Sequence, residues 1–262
     1  MDPSLPQPAV GRTFSARRRV RLSDIDAHGR VRLDAIARYL QDVAIDDVQE
    51  TGWGLPSHLW FVRRIQIEVV RPFLLDQHVE LVTWCSAVGS IAAGRRWSVR
   101  GDVRGLIEVD SVWIHLGPDQ RPARIDGFGV YAEATGGRAV STKLGLDEPP
   151  SRSMRRPWPL RATDVDRHGH VNNAAYWQAV EHVAAESGLE LRKPFRAMLD
   201  FRQPVDLGDD VELTEHWDGP ALVLGFCVED AVRAVARVEP AVGGSDRGSR
   251  LTAAGAAPRT GR

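Results

Sequence analysis

Residues 161–180 read RATDVDRHGHVNNAAYWQAV, and an earlier segment of the chain closely matches them. Residues 21–40 read RLSDIDAHGRVRLDAIARYL, and the two segments align without a gap at an offset of 161 − 21 = 140. Identical pairs include Arg21 with Arg161, Asp24 with Asp164, Asp26 with Asp166, His28 with His168, Gly29 with Gly169 and Val31 with Val171. A repeat of this kind predicts two tandem copies of one folding unit.

Each copy continues into a helix pattern and then into strand patterns. Apolar residues recur at helical spacing from residue 33 until Gly52, and a second helix is predicted over about residues 173–187. Strands are predicted where β-branched and aromatic residues are frequent, at residues 14–22, 60–70, 78–88, 93–103 and 106–116, and again from residue 158. The short connections favour an antiparallel meander. The predicted fold class is therefore α+β, with each helix packed against a curled antiparallel sheet.

A second offset relates the strands of the two copies. Pro72 and residues 79–81 recur as Pro204 and residues 211–213 at an offset of 204 − 72 = 132, so the second helix-to-strand connection is 140 − 132 = 8 residues shorter. A duplicated unit of this kind inherits the geometry of a symmetric homodimer. The predicted organisation is a flexible arm (1–13), a first unit (14–135) that ends in a short helix near 127–133, a linker (136–157), a second unit (158–240) and a disordered tail (241–262).

Composition excludes several classes of function. The 262 residues carry Lys+Arg 34 against Asp+Glu 35, so the formal charge of −1 gives no field that favours nucleic acid. The chain has no apolar run long enough to insert into a membrane and no apolar secretory signal, so we expect a cytoplasmic protein. Cys85 and Cys227 lie far apart without metal-type spacing and are predicted to be core residues. We expect no cofactor.

The positions at which the copies differ indicate where chemistry takes place. Arg30, Arg32 and Leu33 of the first copy stand opposite His170, Asn172 and Asn173 of the second. Histidine can exchange a proton near neutral pH, and asparagine is a preferred cap for the start of a helix. The second copy is therefore predicted to hold the functional site, and the first to serve as scaffold.

The second copy also resembles a known family. Asp166, His170, Val171, Asn172, Asn173 and Tyr176 match the pattern D-x-N-x-H-V-N-N-x-x-Y of the acyl-ACP thioesterases of plants and bacteria. The segments LQDVA (40–44), GRRW (94–97) and SVW (111–113) resemble other parts of that family. The resemblance covers about residues 14–240. It implies a double-hotdog fold, an acyl slot between helix and sheet in the first unit and at the junction of the two units, and a substrate carried by acyl carrier protein or coenzyme A.

The chain departs from the family pattern at two places. His168 stands where the family has a catalytic asparagine. Pro204 and Val205 stand where the family has an acidic residue or a cysteine, so that third catalytic residue does not carry over. Asp206 or Asp209 could substitute for it.

Thioester hydrolysis needs a base or nucleophile and hydrogen-bond donors for the developing oxyanion. We predict that Asp166 acts as base or nucleophile, that His170 polarises the carbonyl or protonates the leaving thiolate, and that His168 orients Asp166 or a water. The oxyanion site is predicted at the helix start formed by Val171, Asn172 and Asn173.

Other interpretations of these residues remain open. Asp164, Asp166 and His168 have counterparts in the first copy, so all three could be turn residues, and Asn172 and Asn173 could serve only as caps. No metal is expected, although Asp164, Asp166, His168 and His170 alternate and would share one face of an extended segment.

Other functions and partners are also open. A non-catalytic acyl binder and an acyl-thioester dehydratase or hydratase are alternative functions. A homodimer is an open alternative as well. Arginines on the sheet could contact the acidic carrier or the phosphates of coenzyme A, or could simply be solvated; the candidates are Arg63, Arg64, Arg95, Arg96 and Arg121.

Overall fold

The computed structural model describes residues 5–52, 59–126 and 128–241, and in this part of the chain ten antiparallel strands form one sheet. The strand order across the sheet is β1-β3-β4-β5-β2-β7-β10-β9-β8-β6. The strands are β1 (Thr13–Arg19), β2 (Leu59–Arg71), β3 (His78–Val88), β4 (Ala92–Gly101), β5 (Leu106–Leu116), β6 (Met154–Pro157), β7 (Phe195–Phe201), β8 (Val211–Asp218), β9 (Ala221–Val228) and β10 (Ala231–Pro240). The sheet and its helices confirm the predicted α+β class.

Two long helices lie side by side against this sheet. They are α1 (Leu33–Thr51) and α3 (Asn173–Glu186), and a short helix, α2 (Gly129–Ala132), follows β5. The predicted apolar face of α1 is buried, and the helix ends at Gly52, whose φ of 63° is left-handed. No helix in the described ranges has the length and apolar character needed to cross a membrane.

The two units join through β2 and β7, and the join has two-fold symmetry. Gln66 pairs with Met198, and these two residues are related by the strand offset of 198 − 66 = 132. On either side of them Arg64 pairs with Asp200, and Glu68 pairs with Arg196. Arg64 and Arg196 are repeat counterparts, as are Glu68 and Asp200, so the two pairs join the same two repeat positions with the copies exchanged. This is the isologous contact expected of a duplicated homodimer.

The predicted meander is wrong for β2. Strands β3, β4 and β5 are consecutive neighbours, but β2 pairs with β5 and β7 and not with β3. The reason lies in residues 72–77, which cross the start of α1 instead of forming a hairpin. In this connection the Phe73 carbonyl accepts from the Val31 N–H at 3.0 Å, and the Leu75 N–H donates to the Gly29 carbonyl at 3.1 Å. Gly29 and Val31 belong to the acidic turn before α1 (residues 24–31), and this turn thus fixes the crossover.

Element boundaries differ from prediction near the linker and at the arm. The strand expected from residue 158 is β6, inside the range predicted as linker. Arg12, in the range predicted as a flexible arm, donates to Asp47 of α1 at 2.7 Å. Residues 1–4, Gly127 and the predicted disordered tail from residue 242 lie outside the described residues.

The cysteines are core residues, as predicted. Cys85 and Cys227 are both buried free thiols. Burial raises the pKa of the Cys85 thiol to about 11, so this side chain stays protonated and unreactive at neutral pH.

Candidate active site

The acidic turn before α3 is held together by Asp166. Its backbone N–H donates to the His170 carbonyl at 2.8 Å, and its carbonyl accepts from the Gly169 N–H at 3.1 Å. Its Oδ1 accepts from the His168 N–H at 2.8 Å. Gly169 has a φ of 85°, a left-handed conformation that suits glycine. One oxygen of the Asp166 carboxylate therefore maintains the turn. The other, Oδ2, has no hydrogen-bond donor among the described residues.

The first copy repeats this turn almost bond for bond. The Asp26 N–H donates to the Arg30 carbonyl at 2.8 Å, and Asp26 Oδ1 accepts from the His28 N–H at 2.9 Å. In the first copy, however, Asp26 Oδ2 accepts from the Arg30 side chain at 3.1 Å. Both aspartates are turn residues, and what distinguishes Asp166 is the oxygen that the turn leaves free.

Asp164 has a structural role in the same segment. It is buried, and its carboxylate accepts from the Arg161 N–H at 2.9 Å and from the Arg161 guanidinium at 2.7 Å. Asp24 accepts from the Arg21 N–H in the same way at 2.9 Å. This pattern agrees with the interpretation of Asp164 as a turn residue.

His170 is paired with a carboxylate from a distant part of the chain. Its Nδ1 lies 2.6 Å from Oδ1 of Asp206, and the two residues also form a backbone bridge. Asp206 is itself held in place, because its N–H donates to Asp209 Oδ2 at 2.9 Å. A proton on Nδ1 leaves Nε2 as the nitrogen able to exchange a proton with a ligand. Of the two acidic substitutes considered from the sequence, the structure brings Asp206 to the histidine.

The start of α3 offers a different oxyanion donor from most of those predicted. The Val171 N–H donates to the Val205 carbonyl at 2.8 Å, and the Asn172 N–H donates to the Asp164 carbonyl at 2.8 Å. Neither group is free, so the prediction is wrong for these two residues. The Asn173 N–H has no acceptor among the described residues. It lies at the positive end of the helix dipole and is the available donor.

The two asparagines therefore have separate positions. Asn172 is the N-cap residue, and its Oδ1 accepts from the Ala174 N–H at 2.9 Å. Asn173 is the first helical residue. Only the first of them caps the helix with its side chain.

His168 is exposed. Its Nε2 accepts from the Arg167 side chain at 3.2 Å, and within the described residues no hydrogen bond joins the ring to Asp166 or His170. The structure thus brings His170 and Asp206 together beside Asn173 and leaves the His168 ring outside this group.

The corresponding site of the first copy is filled by the protein itself. Arg30 replaces His170, is 3% exposed, and forms an ion pair with Glu181 from α3. The other Glu181 oxygen accepts from the Leu33 N–H at 2.6 Å, and Leu33 is the repeat counterpart of Asn173. Burial raises the pKa of Glu181, while Arg30 and the Leu33 N–H oppose that rise. The two groups that correspond to the His170 side chain and the Asn173 N–H, namely the Arg30 guanidinium and the Leu33 N–H, are therefore already bound by Glu181.

Two grooves border the paired helices. The larger, about 740 Å³, lies at the first copy and is lined by Arg30 and Glu181. The smaller, about 520 Å³, lies beside the start of α3 and is lined by Asn172, Ala174 and Gln41. We place the candidate active site at the second copy in spite of its smaller groove, because the Leu33 N–H of the first copy is bound by Glu181, whereas its counterpart, the Asn173 N–H, has no acceptor among the described residues.

The arginine prediction was wrong for most of its members. Arg64 pairs with Asp200 at 2.5 Å, Arg95 pairs with Asp47 at 2.7 Å, and Arg63 donates to the Phe201 carbonyl at 2.9 Å. Their guanidinium groups are bound within the protein rather than solvated or offered to a partner.

The other two of the five arginines, Arg96 and Arg121, differ in exposure. Arg96 is 1% exposed. Among the five arginines only Arg121, which is described and exposed, fits either interpretation made from the sequence.

Sequence reasoning missed Glu181 and Gln41. Both lie on helices and contact the start of the opposite helix, and they are repeat counterparts, since 181 − 41 = 140. Extending the alignment by one further residue along the helices would have paired them. No group of three or more His, Cys, Asp or Glu side chains in the described ranges is arranged to hold a metal ion.

Comparison with solved structures defines the class of protein. The 12:0-ACP thioesterase from Umbellularia californica superposes with a TM-score of 0.74 at 18% identity, covering 87% of this chain and 96% of that one. A putative oleoyl thioesterase from Lactobacillus plantarum gives 0.73 at 19% identity, covering 88% and 96%. These likenesses confirm the predicted double-hotdog fold.

Sequence comparison then gives the family. Models of the acyl-ACP thioesterase N-terminal and C-terminal domains match residues 11–126 and 147–234. An uncharacterised protein from Mycobacterium tuberculosis is 29% identical, covering 88% of this chain and 93% of that protein. Oleoyl-acyl carrier protein thioesterase 2 from Arabidopsis thaliana is 25% identical, covering 74% and 60%. The chain belongs to the acyl-ACP thioesterase family and is a thioester hydrolase.

Proposed function

We propose that this chain hydrolyses acyl-ACP at the start of α3, using Asp166, His170 and the Asn173 N–H. The observation that carries the proposal is a difference between the repeats. At the start of α1, Glu181 binds both the Leu33 N–H and the Arg30 side chain. At the start of α3, the Asn173 N–H has no acceptor among the described residues, and His170, three residues earlier, is paired with Asp206. An unpaired helix N–H with a proton-exchanging group beside it suits a substrate whose oxygen becomes negative.

The reaction follows from these groups. The thioester carbonyl oxygen accepts from the Asn173 N–H, which stabilises the negative charge formed on attack. Water forms the new bond to the carbonyl carbon and gives its proton to the free oxygen of Asp166. The carbon–sulfur bond then breaks, and the departing thiolate takes a proton from His170. Asp206 fixes the orientation of the imidazole and stabilises its charged form, a positioning role.

The carrier proposed first is acyl carrier protein, because the family is defined by that substrate and relatives of this chain bear names that contain it. Coenzyme A is the alternative carrier. A cytoplasmic location and a homodimer stay predictions from the sequence. The catalytic role of His168 also stays a prediction, and its exposed ring gives the proposal no support.

Thiol release from a panel of acyl-ACP and acyl-CoA thioesters tests the proposal. The wild-type protein should release free thiol, and His170→Ala should lower kcat by about 10²-fold or more, the typical effect of losing a proton-transfer group. His182→Ala is the matched control, because His182 lies on the exposed side of α3 and pairs with Glu186 at 3.2 Å. It should retain activity within about twofold.

Two outcomes would point elsewhere. Stable binding of an acyl thioester without thiol release would favour the non-catalytic binder, for which the replacement of the family's acidic residue by Pro204 is the motivating feature. Altered unsaturation of the acyl chain without thiol release would indicate a dehydratase or hydratase.

A further inference from the structure

The two long helices each place one polar side chain at the start of the other. Glu181 of α3 reaches the start of α1, and Gln41 of α1 reaches the start of α3. The two positions are related by the same offset of 140 that relates the acidic turns. In one direction the side chain is a carboxylate, and in the other it is a neutral amide.

Glu181 shows where an anion binds at this kind of helix start. One carboxylate oxygen lies 2.6 Å from the Leu33 N–H, and the other binds the Arg30 guanidinium. Leu33 and Arg30 are the counterparts of Asn173 and His170. The carboxylate therefore occupies the position that an oxyanion would occupy in the second copy, between the helix N–H and the side chain that precedes it by three residues.

Gln41 is the repeat counterpart of Glu181, but it does not occupy the anion position at the start of α3. Its Nε2 lies 3.3 Å from Oδ1 of Asn172, the oxygen that also accepts from the Ala174 N–H. Gln41 also lines the groove of about 520 Å³ beside Asn172. Among the described residues, the Gln41 amide makes no hydrogen bond to the Asn173 N–H, whereas Glu181 binds the Leu33 N–H. The amide has N–H groups to donate, and it contacts Asn172, the residue directly before Asn173.

We propose that Gln41 is a catalytic residue that the first repeat contributes to the site of the second. Its side-chain amide donates to the same thioester oxygen that the Asn173 N–H binds. The inference rests on the proposed function, and it makes the site a joint product of both repeats. Glu181 then occupies the site at the start of α1, whereas Gln41 leaves the site at the start of α3 available to a substrate.

Kinetics of Gln41 variants on acyl-ACP test this inference. Gln41→Ala and Gln41→Met both remove the donor, and Met keeps the length of the side chain. Each should lower kcat by about 10- to 10³-fold, the range seen when one oxyanion donor is removed, and change KM by less than about threefold. Gln49→Ala on the exposed face of α1 is the control and should match wild type.

Gln41→Glu gives a readout that a structural role would not produce. Its carboxylate should bind the Asn173 N–H as Glu181 binds Leu33 and block the site. Protonation should relieve the block, so the ratio of variant to wild-type kcat should rise at least tenfold between pH 8 and pH 5. Gln49→Glu, which makes the same change on the exposed face, should give a ratio near one at every pH.

The outcomes separate the inference from the proposed function. Wild-type thiol release together with Gln41→Met and Gln41→Ala within twofold of wild-type kcat would overturn the role of Gln41 and leave the thioesterase intact. A pH-independent ratio for Gln41→Glu would also overturn it. A wild-type protein that releases no thiol would overturn both.

Discussion

Asp206 holds His170 through a contact of 2.6 Å, so a carboxylate lies beside this histidine although the chain lacks the acidic residue that the family resemblance implied. Pro204 and Val205 stand where the resemblance implied an acidic residue or a cysteine, and Asp206 follows them directly. The connection from β7 to β8 brings Asp206 to His170 because the Val205 carbonyl accepts from the Val171 N–H. A proline and a valine can therefore replace the family's residues without loss of the carboxylate partner.

Asp206→Asn should lower kcat by about 10²-fold or more on acyl-ACP, because an amide does not stabilise the imidazolium and does not select one tautomer. The decline should be seen in kcat rather than in KM. Asp210→Asn is the matched control, since Asp210 is exposed and makes no side-chain hydrogen bond to described residues. Equal activity of the two variants would remove Asp206 from the account.

Sequence could predict the residue types of the site better than their roles. The repeat alignment separated His170 and the asparagines from the shared turn, because these positions differ between the copies. It could not show that the Val171 and Asn172 N–H groups are taken by carbonyls of other segments. Such partners depend on the β7–β8 connection and on the turn, and neither leaves a signal in local sequence.

At the scale of elements, α3 depends on one cap. Asn172→Ala removes the acceptor for the Ala174 N–H and should reduce the free energy of unfolding by about 1 kcal/mol. Asn173→Ala is the control and should change it by less than about 0.5 kcal/mol, because no cap hydrogen bond is lost. Urea denaturation of both variants measures the difference. Similar losses would contradict the assignment of the cap.

Strand β5 carries a titrating group outside the site. Burial raises the pKa of Asp110 to about 6, and the opposing charge of Arg96 only partly offsets the rise. Between about pH 4 and pH 6 the folded protein thus keeps a proton that the unfolded chain loses. The free energy of unfolding therefore falls as pH rises through this range, by up to about 3 kcal/mol from this group.

Asp110→Asn should remove that contribution. Relative to wild type, the variant should gain about 2–3 kcal/mol of stability between pH 4 and pH 8, because only the wild-type side chain becomes charged. Urea denaturation of both proteins at the two pH values measures this change. A difference between variant and wild type that does not depend on pH would contradict the raised pKa.

At the scale of the whole molecule, the two halves meet at a buried carboxylate. Asp200 is 0% exposed and binds the Arg64 guanidinium at 2.5 Å and the Gly145 and Leu146 N–H groups at 2.7 and 2.8 Å. It thereby connects β2, β7 and the segment that links the two units. The β2–β7 join is more than a strand pairing.

Asp200→Asn should lower the free energy of unfolding by about 3 kcal/mol, because it leaves a largely buried guanidinium without its counter-charge. Glu68→Gln is the control given by the repeat. Glu68 is the counterpart of Asp200, but it is partly exposed and 3.7 Å from Arg196, so its loss should cost less than about 1 kcal/mol. If the two variants unfold alike, the buried pair does not hold the halves together.

The overall architecture was more predictable than the sheet order. The two offsets between matching segments predicted two copies of a helix and an antiparallel sheet, and hydrophobic spacing located α1, β3 and β5 closely. The position of β2 in the centre of the sheet could not be predicted from short connections alone. It follows from the contacts of residues 72–77 with the acidic turn and from the pairing of β2 with β7, and both are long-range.

The central claim is that one of two nearly identical turns performs chemistry. Asp166→Asn and Asp26→Asn change the same turn residue in the two copies, and the amide oxygen can still accept from the following N–H. The measurement is kcat for thiol release from acyl-ACP, with both variants compared with wild type. We predict a loss of about 10²-fold or more for Asp166→Asn and activity within about twofold for Asp26→Asn. Equal activities of the two variants would contradict the account.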